Sequence, residues 1–124
     1  MDLGLAGQKV VSTEFGYTAA IVVSGGSEMR VESAFTLRAE EGDRRLTPGT
    51  DVEEGAARLG AVVGHVVAAA TADDGGELRV DLDGGMRLVV EPDRDYEAWT
   101  FAGADGTKIV CRPGGGLAVW SAHT

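Results

Sequence analysis

Two-residue alternation of apolar and polar side chains, broken at intervals by paired glycines, restricts this chain to antiparallel hairpins. In residues 28–38, Met29, Val31, Phe35 and Leu37 point one way with small Ser33 between them, while Glu28, Arg30, Glu32, Thr36 and Arg38 point the other way. That is the pattern of a strand with one wet face. Leu78, Val80 and Leu82 alternate in the same manner, as do Met86, Leu88 and Val90, and Glu97, Trp99 and Phe101. Between these runs stand Ser24-Gly25-Gly26-Ser27, Asp73-Asp74-Gly75-Gly76, Gly84-Gly85 and Asp105-Gly106. Glycine reaches positive φ without a Cβ clash, which the tight turns of hairpins require.

The pattern repeats. Gly7-Gln8-Lys9-Val10-Val11 is echoed by Gly64-His65-Val66-Val67-Ala68, and Met29-Arg30-Val31 by Met86-Arg87-Leu88 at the same offset, each Met run following a Gly-Gly turn. Strands over 8–15, 17–23 and 28–38, and again over 62–71, 78–82 and 86–90, predict two pseudo-repeated meanders. The polar stretch 39–50 reads as a loop. Thr50 or Asp51 then caps one short helix near 51–60, with Val52, Ala56, Leu59 and Val63 at helical spacing. Gly55 and Gly60 weaken that helix, so packing on the sheet must hold it. The expected fold is mainly β (α+β), with antiparallel hairpins forming a sheet, a roll or a partly open barrel over a single domain, 1–124.

Charge narrows the partners. The 124 residues carry a formal charge of −9, a surface that phosphate backbones and anionic membranes repel. Nucleic acid and membrane are therefore not expected, and a basic protein is the electrostatically easier partner. The longest nearly apolar run, Ala61 to Ala70, is too short to cross a bilayer. The start, Met1-Asp2-Leu3-Gly4, has no basic and apolar leader pattern, and a lone cysteine suits a reducing compartment, so a cytoplasmic location is expected. Arginine outnumbers lysine and asparagine is absent, as in products of GC-rich bacterial genomes.

Tyr96-Glu97-Ala98-Trp99, followed by Val110-Cys111-Arg112-Pro113-Gly114-Gly115-Gly116-Leu117-Ala118-Val119-Trp120, resembles a family of small actinobacterial proteins known only as a domain of unknown function. Leu5-Ala6-Gly7-Gln8-Lys9-Val10 and Phe35-Thr36-Leu37 are also similar, so the resemblance runs over most of the chain. It implies no activity and assigns no catalytic or binding residue. Small acidic proteins of this kind are associated with immunity and accessory roles, and that expectation rests on the association and not on the fold.

The residues themselves offer few chemical constellations. Cys111 would need a base beside it to act as a nucleophile. The histidines are His65, in the apolar run, and His123, next to the C-terminus, so a packed cysteine is the preferred reading. Glu91, Asp93, Asp95 and Glu97 form the densest carboxylate run, but Pro92 and Arg94 interrupt it, and a solvated loop is preferred to a calcium or acid–base site. Asp81-Leu82-Asp83-Gly84-Gly85 lacks the later acidic ligand of a calcium loop and reads as a turn. Pro113-Gly114-Gly115-Gly116 lacks the Lys-Ser or Lys-Thr of a phosphate loop and reads as a flexible connection. No cofactor or metal is expected.

Large aromatics gather in the last third, with Trp99 assigned to the core beside Phe101. Asp93, Asp95, Tyr96, Glu97, Arg112 and Trp120 are the candidate partner or ligand contacts. The favoured expectation is a non-enzymatic binding module for a basic protein, with self-association through an edge strand such as 28–38 as a variant. The alternative is a small-ligand protein or enzyme with a pocket lined by the C-terminal aromatic and acidic residues, distinguished by an enclosed apolar cavity.

Overall fold

A computed structural model describes residues 1–121. Its strands are β1 (Val10–Phe15), β2 (Ala19–Val23), β3 (Glu28–Val31), β4 (Phe35–Ala39), β5 (Gly42–Leu46), β6 (Val67–Ala72), β7 (Leu78–Leu82), β8 (Arg87–Val90), β9 (Trp99–Ala102), β10 (Lys108–Cys111) and β11 (Leu117–Trp120), with one helix, α1 (Val52–Gly60), between β5 and β6. They form a six-stranded sheet in the order β1-β2-β3-β9-β10-β11 and a five-stranded sheet in the order β5-β4-β8-β7-β6. All the strand pairings are antiparallel. The inward residues of both sheets meet in one hydrophobic core.

The sequence echo is a structural repeat with an exchange. Meander β1-β2-β3 opens the first sheet and meander β6-β7-β8 opens the second. After each meander the chain crosses to the other sheet, so β4 and β5 complete the second sheet beside β8, while β9 and β10 complete the first beside β3. Both meanders carry a register irregularity at the same place, between Val10 and Ser12 and between Val67 and Ala69. The two halves touch where the repeats coincide, at an antiparallel bridge between Lys9 and Val66. Hydrogen bonds around it come in matched pairs. The Val10 N–H donates to the His65 carbonyl at 2.9 Å and the Val67 N–H to the Gln8 carbonyl at 2.8 Å, while Gly64 donates to Val10 and Gly7 to Val67, both at 2.8 Å.

Residues 28–38 do not form one strand. The chain bends at Glu32-Ser33-Ala34, and β3 and β4 lie in different sheets. Alternation survives the bend because Met29, Val31, Phe35 and Leu37 all enter the shared core. Neither piece is an edge, since β3 lies between β2 and β9 and β4 between β5 and β8. Residues 28–38 therefore offer no free strand edge, because β3 and β4 each already pair on both sides. The outermost strands are β1 and β11 in one sheet and β5 and β6 in the other, but β6 is covered by the N-terminal segment, where the Leu3 N–H donates to the Ala70 carbonyl and the Ala72 N–H to the Met1 carbonyl, both at 2.9 Å. β5 lies inside the stretch read as a loop, and β6 begins only at Val67, after a turn over 61–64.

The helix occupies its expected position but presents a different face. Val52 and Val63 are exposed, and the buried positions are Gly55, Leu59 and, just beyond the helix, Val62. Gly55 packs so closely on the Phe15 ring that a Cβ there would collide with it. Asp51 caps the helix through its carbonyl, which accepts from the Gly55 N–H at 2.9 Å. Its φ of 46° is the left-handed region, and its side chain makes no capping bond.

Candidate functional site

The second crossing, residues 91–98, is built from its first turn outward. Pro92 removes a backbone donor just after β8 and ends the strand. Asp93 then folds the chain, its Oδ1 accepting from the N–H groups of Asp95 at 2.8 Å and Tyr96 at 3.1 Å. The Asp93 carbonyl accepts from the Gly114 N–H at 2.8 Å, tying the crossing to the β10–β11 loop. Asp93 is thus a turn-forming residue of the kind whose side chain replaces a backbone partner. The turn projects Asp95, Tyr96 and Glu97 into solvent, with Tyr96 72% exposed, while Ala98 and Trp99 turn inward.

The first crossing runs alongside, its Glu32 N–H donating to the Ala98 carbonyl at 2.9 Å. Glu32, Asp95, Tyr96, Glu97 and Pro113 consequently line one open cleft of about 460 Å³. Among the described residues, Glu32, Asp95 and Glu97 make no ion pair. A second depression, of about 400 Å³, lies around Pro92 and Glu91 with Asp73 and Glu77, so the crossing carries acidic surface on both sides. Among the described residues no three His, Cys, Asp or Glu side chains converge to hold a metal ion.

The loop under the cleft is held by close backbone approach. Gly115 is buried and packs on Gly75 and Gly76, where a Cβ on either Gly76 or Gly115 would meet backbone atoms of the other strand connection. Their φ values, 99° and 112°, require glycine as well. Within the glycine run Gly115 is therefore a packed joint, while Gly114 and Gly116 are exposed. The Gly76 carbonyl accepts from Trp99 Nε1 at 2.9 Å and from Cys111 Sγ at 3.4 Å, so the buried indole and thiol are both satisfied there.

The structure brings Asp95, Tyr96 and Glu97 together and adds Glu32, which sequence reasoning missed because only the crossing brings it near. Arg112 is exposed beside Pro113, and its N–H closes the loop on the Gly116 carbonyl at 2.7 Å. Trp120 does not join the cleft. In the β10–β11 pair Cys111 faces Leu117 at the cleft end and Lys108 faces Trp120 at the other, where the ammonium lies 5.8 Å from the indole centroid. Burial pushes the Cys111 thiol up, which keeps it in the unreactive protonated form. His65 is engaged elsewhere, its Nδ1 2.5 Å from Asp83 Oδ1, and Asp81 pairs with Arg87. The paired aspartates of 81–85 are therefore occupied at a hairpin turn. His123 lies outside the described residues.

The chain belongs to a family of unknown function, DUF6188, whose family model matches residues 1–121. No curated protein and no solved structure matches it. No helix among the described residues is long and apolar enough to cross a membrane.

Proposed function

We propose that this member of the DUF6188 family is a non-enzymatic binding module of immunity or accessory type, acting in the cytoplasm, that receives a basic protein on the acidic end formed by its two crossings. The observation that carries the reading is the open cleft in which Glu32, Asp95 and Glu97, none of them ion-paired among the described residues, surround exposed Tyr96. A lysine or arginine of the partner finds carboxylates for its charge and a ring face for a cation–π contact, worth about 0.5–1 kcal/mol at an exposed site. Exposed ion pairs contribute at most about 1 kcal/mol each, so such a surface mainly steers encounter and sets salt dependence. Length supports the reading too. The crossing from β3 to β4 takes three residues and the crossing from β8 to β9 takes eight, so the fold does not need the extra length that presents Asp95, Tyr96 and Glu97.

The test leaves Asp93 intact, because its side chain shapes the turn. The variant Asp95→Lys/Glu97→Lys keeps the wild-type melting temperature but binds an arginine- and lysine-rich probe peptide at least tenfold more weakly, with a flatter salt dependence. Equal binding of that peptide by the variant and the wild type removes the cleft from the interface.

A further inference from the structure

The repeat points to a second interaction surface, at the far edge of the five-stranded sheet and independent of the acidic cleft. β5 and β10 occupy equivalent places, each the second strand after a crossing. On the outer side of β10 lies β11, antiparallel, whereas β5 is paired with β4 alone. Gly42, Asp43, Arg44 and Arg45 are all exposed, so this strand meets water on both faces. We propose that the place beside β5 is filled by β5 of a second copy of the chain, antiparallel and with Arg44 opposite Arg44.

The register follows from charge. Asp43 and Arg45 flank Arg44 and so share one face of the sheet. Asp43 already holds Arg38 of β4 at 3.2 Å, while Arg45 has no ion pair among the described residues. With Arg44 opposite Arg44, each Asp43 faces an Arg45 of the other copy, and the Arg38–Asp43 pair extends across the seam at two symmetric places. A slip of two residues sets Asp43 against Asp43 or Arg45 against Arg45, and a slip of one turns every side chain to the wrong face. Charged residues on an edge strand ordinarily deter pairing. Here opposite signs two residues apart leave one attractive register and make its neighbours repulsive.

The opposed Arg44 pair is the unfavourable part of the seam; Glu54 of α1 lines both grooves that Arg44 lines, though it already holds Arg58 at 3.7 Å. A two-fold pairing uses the same edge on both copies and closes at two. One strand pair buries less than the roughly 1,200–2,000 Å² of a stable interface, so the dimer is weak and forms at high protein concentration.

Sedimentation of the full chain across the micromolar to millimolar range tests this. Wild type shows a concentration-dependent dimer. Asp43→Arg alone and Arg45→Asp alone each place like charges opposite one another, and each dimerises at least tenfold more weakly. An equimolar mixture of the two variants restores opposite signs at both seam pairs and recovers dimer, which two misfolded variants would not do. A wild type that stays monomeric, single variants that dimerise as wild type does, or a mixture that fails to recover each overturns the proposal.

Discussion

The two halves of this protein follow one path with different contents. Each runs through a three-stranded meander with an irregularity in its first strand, crosses to the other sheet and adds a strand pair there. The parts that coincide are those that hold the sheets together, including the matched hydrogen bonds around Lys9 and Val66. The parts that differ are connections. The second half has the longer crossing and the longer β9–β10 turn, and it continues into β11, while the helix follows only the first half. Connections can vary because a rigid scaffold does not depend on their length, and for that reason binding residues accumulate on them. The acidic cleft lies in the connection that differs most.

The comparison is broken most directly at Phe35 and Trp99, which open the equivalent strands β4 and β9 and are both almost fully buried. If the halves share the core evenly, Phe35→Ala and Trp99→Ala each lower the unfolding free energy by about 3–5 kcal/mol in chemical denaturation. A Trp99→Ala loss below 1 kcal/mol would mean that the second half is held by something other than its core. The helix offers a smaller test, because it has no counterpart. Gly55→Ala forces a methyl group against the Phe15 ring and destabilises by about 1–3 kcal/mol. Gly60→Ala meets nothing within 4 Å and stabilises by about 0.5–1 kcal/mol. The same sign for both in thermal melts would show that α1 is not seated by Gly55.

The smallest effect belongs to the unequal hairpin tips. Asp105 Oδ1 accepts from the Thr107 N–H at 2.9 Å, and the backbone and side-chain hydrogen bonds from Thr107 hold the Asp105 carboxyl below its ordinary value of 3.8. A carboxyl depressed in the folded state supports the tip fully above the unfolded value and loses that support as pH falls through the folded one. The Thr107 amide signal should therefore shift below pH 3.8, following Asp105 and ahead of global unfolding. In Asp105→Asn that titration should vanish, and its persistence would assign the shift to another group.

Much of this architecture was legible in the chain because hairpins write themselves locally. Glycine pairs fixed the turns, alternation fixed the buried faces, and the echo at Met29 and Met86 announced two meanders. What escaped was non-local. Ser33 and Ala34 are small enough to continue the alternation through a bend, so one apparent strand concealed the change of sheet. β5 went unseen because an edge strand wet on both faces has the polarity of a loop. On the helix the pattern locates Leu59, which is buried, but not Gly55, a residue with no side chain to register in a hydrophobic pattern. The site was legible only in its contiguous part. Asp95, Tyr96 and Glu97 stood out as exposed acidic and aromatic neighbours, whereas Glu32 enters through tertiary pairing and Trp120 leaves through the direction of β11.

The exchange of strands between sheets also governs the order in which the molecule can come into being. β3 remains an open edge until β9 has been made, and β4 has no second neighbour until β8 appears. A nascent chain emerging from the ribosome therefore holds its first meander unfinished for most of synthesis, and closing those distant pairings makes folding slow and late. Cleavage anywhere between β5 and β6 would leave two fragments, each carrying strands that belong in the interior of the other's sheet. Neither fragment contains a complete sheet.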